Sequence, residues 1–303
     1  METASPSWRL VDVIRSRFDA TVKFVFTSGG KVIELSFIDK GDGKHIICAP
    51  TQSSCRLGCR FCHLTGLNLP VVNLAPVDTL STLTRVVGDL GLTRPDRLCP
   101  TLLVSFMGCG EPLLNAAGTV TAAGALRSLY QRPGLYRTVR FAVASLIPSE
   151  RRMREFTASV AAAGLPCKFH WSLHTANEAA RRELMPAALP LGPAADLVSE
   201  YVRLTGNAAE AHYALMEGDN DTDADAAALV ALLRGRPVNV KFLRYNEKPG
   251  QPMRPSRRVA EFRALLEEAG LATEYYEPPG SDIGSSCGQF LVVYYTRYAP
   301  PQR

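Results

Sequence analysis

Cys55-Arg56-Leu57-Gly58-Cys59-Arg60-Phe61-Cys62 places three cysteines four and then three residues apart, with a glycine and an aromatic side chain among them. Soft thiolates are the usual ligands of iron–sulfur clusters. A loop this compact can aim three sulfurs at three corners of a [4Fe–4S] cube, and the fourth iron is then open to a substrate or cofactor. Other readings account for the stretch less well. A zinc site wants four ligands, usually in two C-x2-C-type pairs, and no second pair occurs in the chain. Disulfides belong to a secretory context. Burial as small hydrophobes explains one cysteine more readily than three so close together.

Outward from this loop, toward the C-terminus, the hydrophobic pattern alternates between two periods. Helical periodicity covers 76–90, 116–130, 149–163, 193–205, 222–233 and 256–269, with a turn or two of helix at 177–184. Short apolar runs at 101–106, 138–144, 167–173, 209–216, 238–245, 272–276 and 290–296 read as strands. Strands alternating with helices imply βα units and a parallel sheet. About six such units suggest an α/β fold, an open, partial (β/α)6 barrel with catalytic groups at the C-terminal strand ends. Toward the N-terminus, 8–18 reads as a short amphipathic helix, and 22–26, 31–38 and 45–48 as strands of a small β-extension. The expected division is 1–47, helix and β-extension, and 48–303, catalytic barrel.

The chain has 303 residues, 46% hydrophobic and 21% charged, an ordinary balance for a soluble globular protein. Its net charge of +5 permits a polyanionic partner without demonstrating one. No apolar run reaches the length of a membrane span, and the first residues lack the basic and apolar regions of a signal peptide. The eight cysteines are not spaced as a secreted disulfide framework. A reducing cytoplasm is therefore expected.

A second motif, Phe106-Met107-Gly108-Cys109-Gly110-Glu111-Pro112, ends the strand after the cysteine loop. Its glycines would let the backbone approach a ligand closely, and Glu111 or exposed carbonyls could hold an ammonium group. A plain Gly/Pro turn fits equally well. Further on come Ser172-Leu173-His174-Thr175-Ala176-Asn177 with Arg181 and Glu183 to Pro186, and then Ser286-Cys287-Gly288-Gln289.

With the C-x3-C-x2-C loop, these elements resemble, in order from about residue 31 to 296, the RlmN/Cfr group of radical S-adenosylmethionine (SAM) RNA methyltransferases. The resemblance implies the radical SAM barrel, a [4Fe–4S] cluster on Cys55, Cys59 and Cys62, and SAM chelating the open iron. It implies that Gly110, Glu111 and Pro112 bind the methionyl amino group. Ser145 and Ser172 would meet the SAM ribose and carboxylate, and Asn246 its adenosine. Glu34 would lie near the substrate, and His174 is either part of the site or a satisfied core histidine. Cys287 would be a methyl carrier and Cys48, seven residues ahead of Cys55, its resolving thiol.

The implied reaction methylates carbon 2 or carbon 8 of adenine. Such an amidine carbon is electron-poor and cannot attack a methyl sulfonium. Cys287 would take a methyl from one SAM and a second SAM would yield a 5′-deoxyadenosyl radical, which takes a hydrogen from the S-methyl group. The methylene radical adds to the ring, and loss of the ring proton with attack by Cys48 on the Cys287 sulfur releases the methylated base and leaves a disulfide. The implied partners are rRNA or tRNA and a flavodoxin- or ferredoxin-type electron donor.

Two features depart from the family pattern. Only about twenty residues precede the β-extension, where the family carries an accessory domain, and the 63–70 loop is less basic. Both bear on substrate recognition. The same chemistry on a nucleotide or other small molecule is thus one alternative, and a radical SAM enzyme using SAM only as a radical source is another. Cys99, Cys109 and Cys167 read as packing residues, and the acidic run 217–225 as a solvated loop and helix start.

Overall fold

The computed structural model describes residues 8–248, 250–285, 288–291 and 294. Among the described residues, ten strands join one sheet whose spatial order is the order of the chain. β1 (Arg9–Arg15), β2 (Val22–Ser28), β3 (Lys31–Asp39) and β4 (Lys44–Cys48) pair antiparallel. The turn between β2 and β3 needs two successive residues at positive φ, which Gly29 and Gly30 supply at 51° and 74°. From β4 onward the pairing is parallel, through β5 (Thr101–Phe106), β6 (Thr138–Ser145), β7 (Cys167–Ser172), β8 (Ala209–Leu215), β9 (Val238–Arg244) and β10 (Thr273–Tyr276). β4 therefore belongs both to the extension and to the βα part, and one sheet runs through the two.

Helices cross between the parallel strands: α1 (Pro76–Asp89), α2 (Ala116–Tyr130), α3 (Glu150–Ala162), α4 (Glu178–Leu184) with α5 (Leu191–Thr205), α6 (Asp223–Leu233) and α7 (Val259–Glu268). Their starts carry local signals. Pro76 opens α1, and the side chains of Ser149, Asn177 and Thr222 accept hydrogen bonds from the first free N–H groups of α3, α4 and α6. Strand residues of one parity, such as Phe169, Trp171, Ala211, Tyr213, Val240 and Phe242, enter the core shared with the helices. Those of the other parity, including His170, Ser172, His212 and Leu243, face the opposite side of the sheet. That face holds the site.

Two expectations at the chain ends need revision. Residues 8–18 do not form a helix: Arg9–Arg15 is β1, antiparallel to β2 with a bulge between Leu10 and Asp12. Apolar positions 10, 11, 13 and 14 satisfy a helical stripe, but Val11, Val13 and Ile14 are β-branched and the edge of β2 offers a ladder. At the other end, Phe290 and Leu291 lie in a turn with buried side chains, and most of the strand expected at 290–296 falls outside the described residues. Among the described residues no helix is long and apolar enough to cross a membrane.

Candidate active site

The cysteine loop leaves the C-terminal end of β4 and is pinned from several directions. Gly58 takes φ +74°. The Arg60 N–H donates to the Leu184 carbonyl at 2.9 Å, and the His63 N–H to the Gly288 carbonyl at 3.0 Å. The Thr65 hydroxyl donates to the Cys59 carbonyl at 2.7 Å, and Lys248 Nζ to the carbonyls of Cys62 and Thr65. These bonds use backbone atoms and leave the thiols to one cavity, which Cys55, Cys59 and Cys62 line together with Gly110, Glu111, Ser172, His174, His212, Asn246 and Gly288.

Burial pushes all three thiols up, Cys55 to about 11, and neighbouring thiolate charge adds to the rise at Cys55 and Cys59. Three thiolates side by side in this setting need a compensating cation. An iron–sulfur cluster supplies one and prefers sulfur ligands, so the donor set fits that group. No fourth cysteine lines the cavity among the described residues.

Glu111 is buried and held on all sides. Its carboxylate accepts from the N–H groups of Leu113 (3.0 Å) and Leu146 (3.3 Å), and its own N–H donates to Gln52 Oε1 at 2.9 Å. Burial raises its pKa to about 7 despite these bonds and a further one from Ser145. The glycines before it also serve the packing of the chain itself. A Cβ on Gly108 would stand 2.9 Å from the Ala49 backbone, and one on Gly110 (φ +101°) 2.7 Å from Gln52 Cβ. They let the end of β5 pack against residues 49–52, which aims Glu111 into the cavity. Gly110→Ala is expected to lower the unfolding free energy by about 2–4 kcal/mol in urea denaturation, from backbone strain plus overpacking.

Ser172 and Asn246 line the cavity and Ser145 does not; its hydroxyl accepts from the Ile147 N–H at 2.9 Å and backs Glu111. Pro112 opens the 3₁₀ turn that Glu111 caps. His174 both lines the cavity and is satisfied. Its Nδ1 accepts from the Ala214 N–H at 3.0 Å, leaving the proton on Nε2, and its ring meets Phe61 edge-on at 4.6 Å. Burial and the nearby Arg181 cation push its pKa down to about 3.

Arg181 and Asn220 have larger roles than their sequence context suggested. Arg181, 1% exposed, donates to the carbonyls of Ser172, Leu173 and Leu146, tying the ends of β6 and β7 beneath the cysteine loop. Asn220, inside the acidic run, donates to the carbonyls of His174 and Ala214, while Asp221 binds Ser256 at 2.6 Å. Several surface arginines are paired within the chain: Arg151 with Glu155, Arg154 with Glu200, and Arg258 with Asp223.

Cys48 ends β4 and packs in one apolar cluster with Cys55, Cys62, Cys109, Phe290 and Leu291. Its register partner on β3 is Ser36, whose hydroxyl bonds Ser285 at 3.0 Å. Glu34, two residues earlier, is fully buried against Lys23 at 2.8 Å. It also accepts from the Leu291 N–H at 2.9 Å, while Lys23 donates to the Gly284 carbonyl at 2.8 Å. Glu34 is thus buried, and with Lys23 it anchors Gly284 and Leu291. Cys287 lies outside the described residues. No disulfide joins two of the described cysteines.

No protein-family model matches the chain. It is 32% identical over 293 residues to the dual-specificity RNA methyltransferase RlmN of Solidesulfovibrio magneticus, covering 95% of this chain and 80% of that one. The chain belongs to the RlmN family. An RlmN from Cereibacter sphaeroides is also 32% identical, over 89% of this chain and 69% of its own. The crystal structure of a radical SAM methyltransferase from Sphaerobacter thermophilus superposes with a TM-score of 0.78 at 26% identity, covering 94% of this chain and 81% of that one. As an RlmN-family member the chain is a radical SAM methyltransferase, and the cavity at the C-terminal strand ends is its candidate active site.

Proposed function

We propose that this chain methylates carbon 2 or carbon 8 of adenine in RNA, ribosomal or transfer, with Cys287 as methyl carrier and Cys48 as resolving thiol. The observation that carries the reading is the convergence at β4. Cys48 packs with the cluster cysteines Cys55 and Cys62, and its register partner Ser36 bonds Ser285, two residues ahead of Cys287 in sequence. Gly288, the residue after it, accepts from His63 on the cluster loop. The curated RlmN relatives are named as RNA methyltransferases, which supports RNA as the substrate.

In this reading Cys55, Cys59 and Cys62 hold a [4Fe–4S] cluster, and Glu111 takes the SAM ammonium group with Gly110 and Pro112 shaping its turn. Reduced, that cluster supplies one-electron cleavage of SAM to a 5′-deoxyadenosyl radical. The chain's own part is to hold the reacting carbon on Cys287, to keep water out with the apolar wall of Leu64, Phe290 and Leu291, and to let Cys48 capture the Cys287 sulfur. A thiol reductant then reopens the disulfide. A flavodoxin- or ferredoxin-type protein is the proposed electron donor, and the cytoplasm the proposed compartment.

Incubation of the reconstituted enzyme with methyl-labelled SAM and either unmodified RNA or free adenine nucleotides tests the substrate. Label is expected in RNA, on a ring carbon of adenosine after digestion. Label in the nucleotides alone would reject RNA.

Glu111 gives a pH signature. Because burial raises its carboxyl, its contribution to stability is intact below the ordinary carboxylate range and is lost as pH climbs through about 7. A bound ammonium favours the charged form, so SAM affinity is expected to rise severalfold between about pH 6 and pH 8. Equilibrium binding should show that slope in the native chain and a flat profile in Glu111→Gln.

A further inference from the structure

One layer below the cavity floor, β7 and β8 bring together three side chains that the methyl-transfer reading leaves without work. Glu210 and His212 are two apart on β8 and so share a face, while His170 on β7 is the register partner of Glu210. All three are at least nine-tenths buried. Their candidate donor atoms lie within 4.8 Å of one another. The two imidazole rings stand 4.3 Å apart between centroids, and His170 Nδ1 is 3.3 Å from Glu210 Oε2 without hydrogen-bond alignment. His170 Nδ1, Glu210 Oε2 and His212 Nε2 are each buried with no hydrogen-bond partner.

Three orphaned polar atoms facing one point are unfavourable unless something answers all of them at once. The geometry points to a binding site for a divalent transition metal ion, held by His170, Glu210 and His212. Two imidazoles and one carboxylate are borderline nitrogen and oxygen donors, which suit zinc, cobalt or iron(II) and not calcium or magnesium. Burial beside Lys168 and Lys241 keeps both imidazoles in the neutral form that ligates. Lys168 donates to the other carboxylate oxygen, Oε1, at 2.7 Å, the kind of outer contact that orients a ligating carboxylate. Lys241 stands 4.0 Å from Oε2 and bonds Glu274 at 3.0 Å, which draws its charge toward the exposed side. His212 also lines the cavity shared with the cluster cysteines, so a metal here would border the floor of that cavity. Three protein ligands leave a coordination position for water or a small ligand.

Cobalt(II) is the probe. Cluster-reconstituted enzyme is equilibrated with cobalt, freed of excess, and assayed for bound metal and visible absorption. The expected result is about one cobalt per chain beyond the cluster iron, with weak visible d–d bands and no intense thiolate-to-cobalt band. The cobalt should be lost in His170→Ala and His212→Ala, and in the conservative Glu210→Gln, with cluster iron and sulfide unchanged. Zinc should likewise raise the melting temperature of the native chain and not that of Glu210→Gln. Absence of cobalt beyond the cluster in the native chain, a thiolate charge-transfer band, or uptake unchanged in all three variants would overturn the assignment.

Discussion

A Cys59→Ser variant is expected to keep its fold and lose the cluster, with 5′-deoxyadenosine formation from SAM falling to background. The loop around Cys59 is held by backbone groups: its carbonyl accepts from the Thr65 hydroxyl and the Cys62 N–H. Neither bond involves the thiol. The substitution removes a soft sulfur donor and leaves a hydroxyl that iron holds poorly. Circular dichroism and the melting temperature should stay near those of the native chain. The visible absorption of the reconstituted cluster, its iron content and the SAM cleavage product should all collapse together. A variant that keeps native SAM cleavage would remove Cys59 from the ligand set.

Lys23→Met carries the second large expectation, and it separates two steps that the cysteine variant abolishes together. Lys23 and Glu34 are both fully buried, and between them they bond Gly284 and Leu291. Removing the cation strands a buried carboxylate, which costs about 3–5 kcal/mol. A fall in melting temperature on the order of 5–15 °C follows for a chain of this size. Gly284 also loses a tether, so methyl transfer should fall much more than SAM cleavage, because the cluster loop and Glu111 do not depend on Lys23. Lys23→Met/Glu34→Leu should recover much of the stability by removing the stranded charge. Native melting and native methyl transfer in Lys23→Met would contradict the anchoring role.

Much of this arrangement is legible in the residues themselves. The run Thr101–Phe106 is largely apolar because a parallel strand is covered on both faces, and α2 follows the stripe at Ala116–Tyr130 to the residue. The three cysteines announce their cavity because ligand spacing is local. What escaped depends on partners distant in sequence. Arg9–Arg15 satisfies both periods, and only the neighbouring edge of β2 decides for a strand. The burial of Glu34 rests on Lys23 beside it and on Gly284 and Leu291 from the far end of the chain. The close approach of Gly108 and Gly110 to residues 49–52 is a need that only the folded chain creates. His170, Glu210 and His212 converge only once the register of β7 and β8 is known. Arg181, which the sequence offers only as part of a motif, closes three strand-end carbonyls beneath the cysteine loop.

The peptide carrying Cys287, recovered from reconstituted enzyme after incubation with methyl-labelled SAM and no RNA, tests the methyl relay most directly. Mass spectrometry should find one methyl group on the Cys287 sulfur, retained in Cys48→Ala and passed to RNA only when Cys48 is present. A Cys287 sulfur that stays unmethylated in an enzyme that still delivers labelled methyl to adenine would contradict the account.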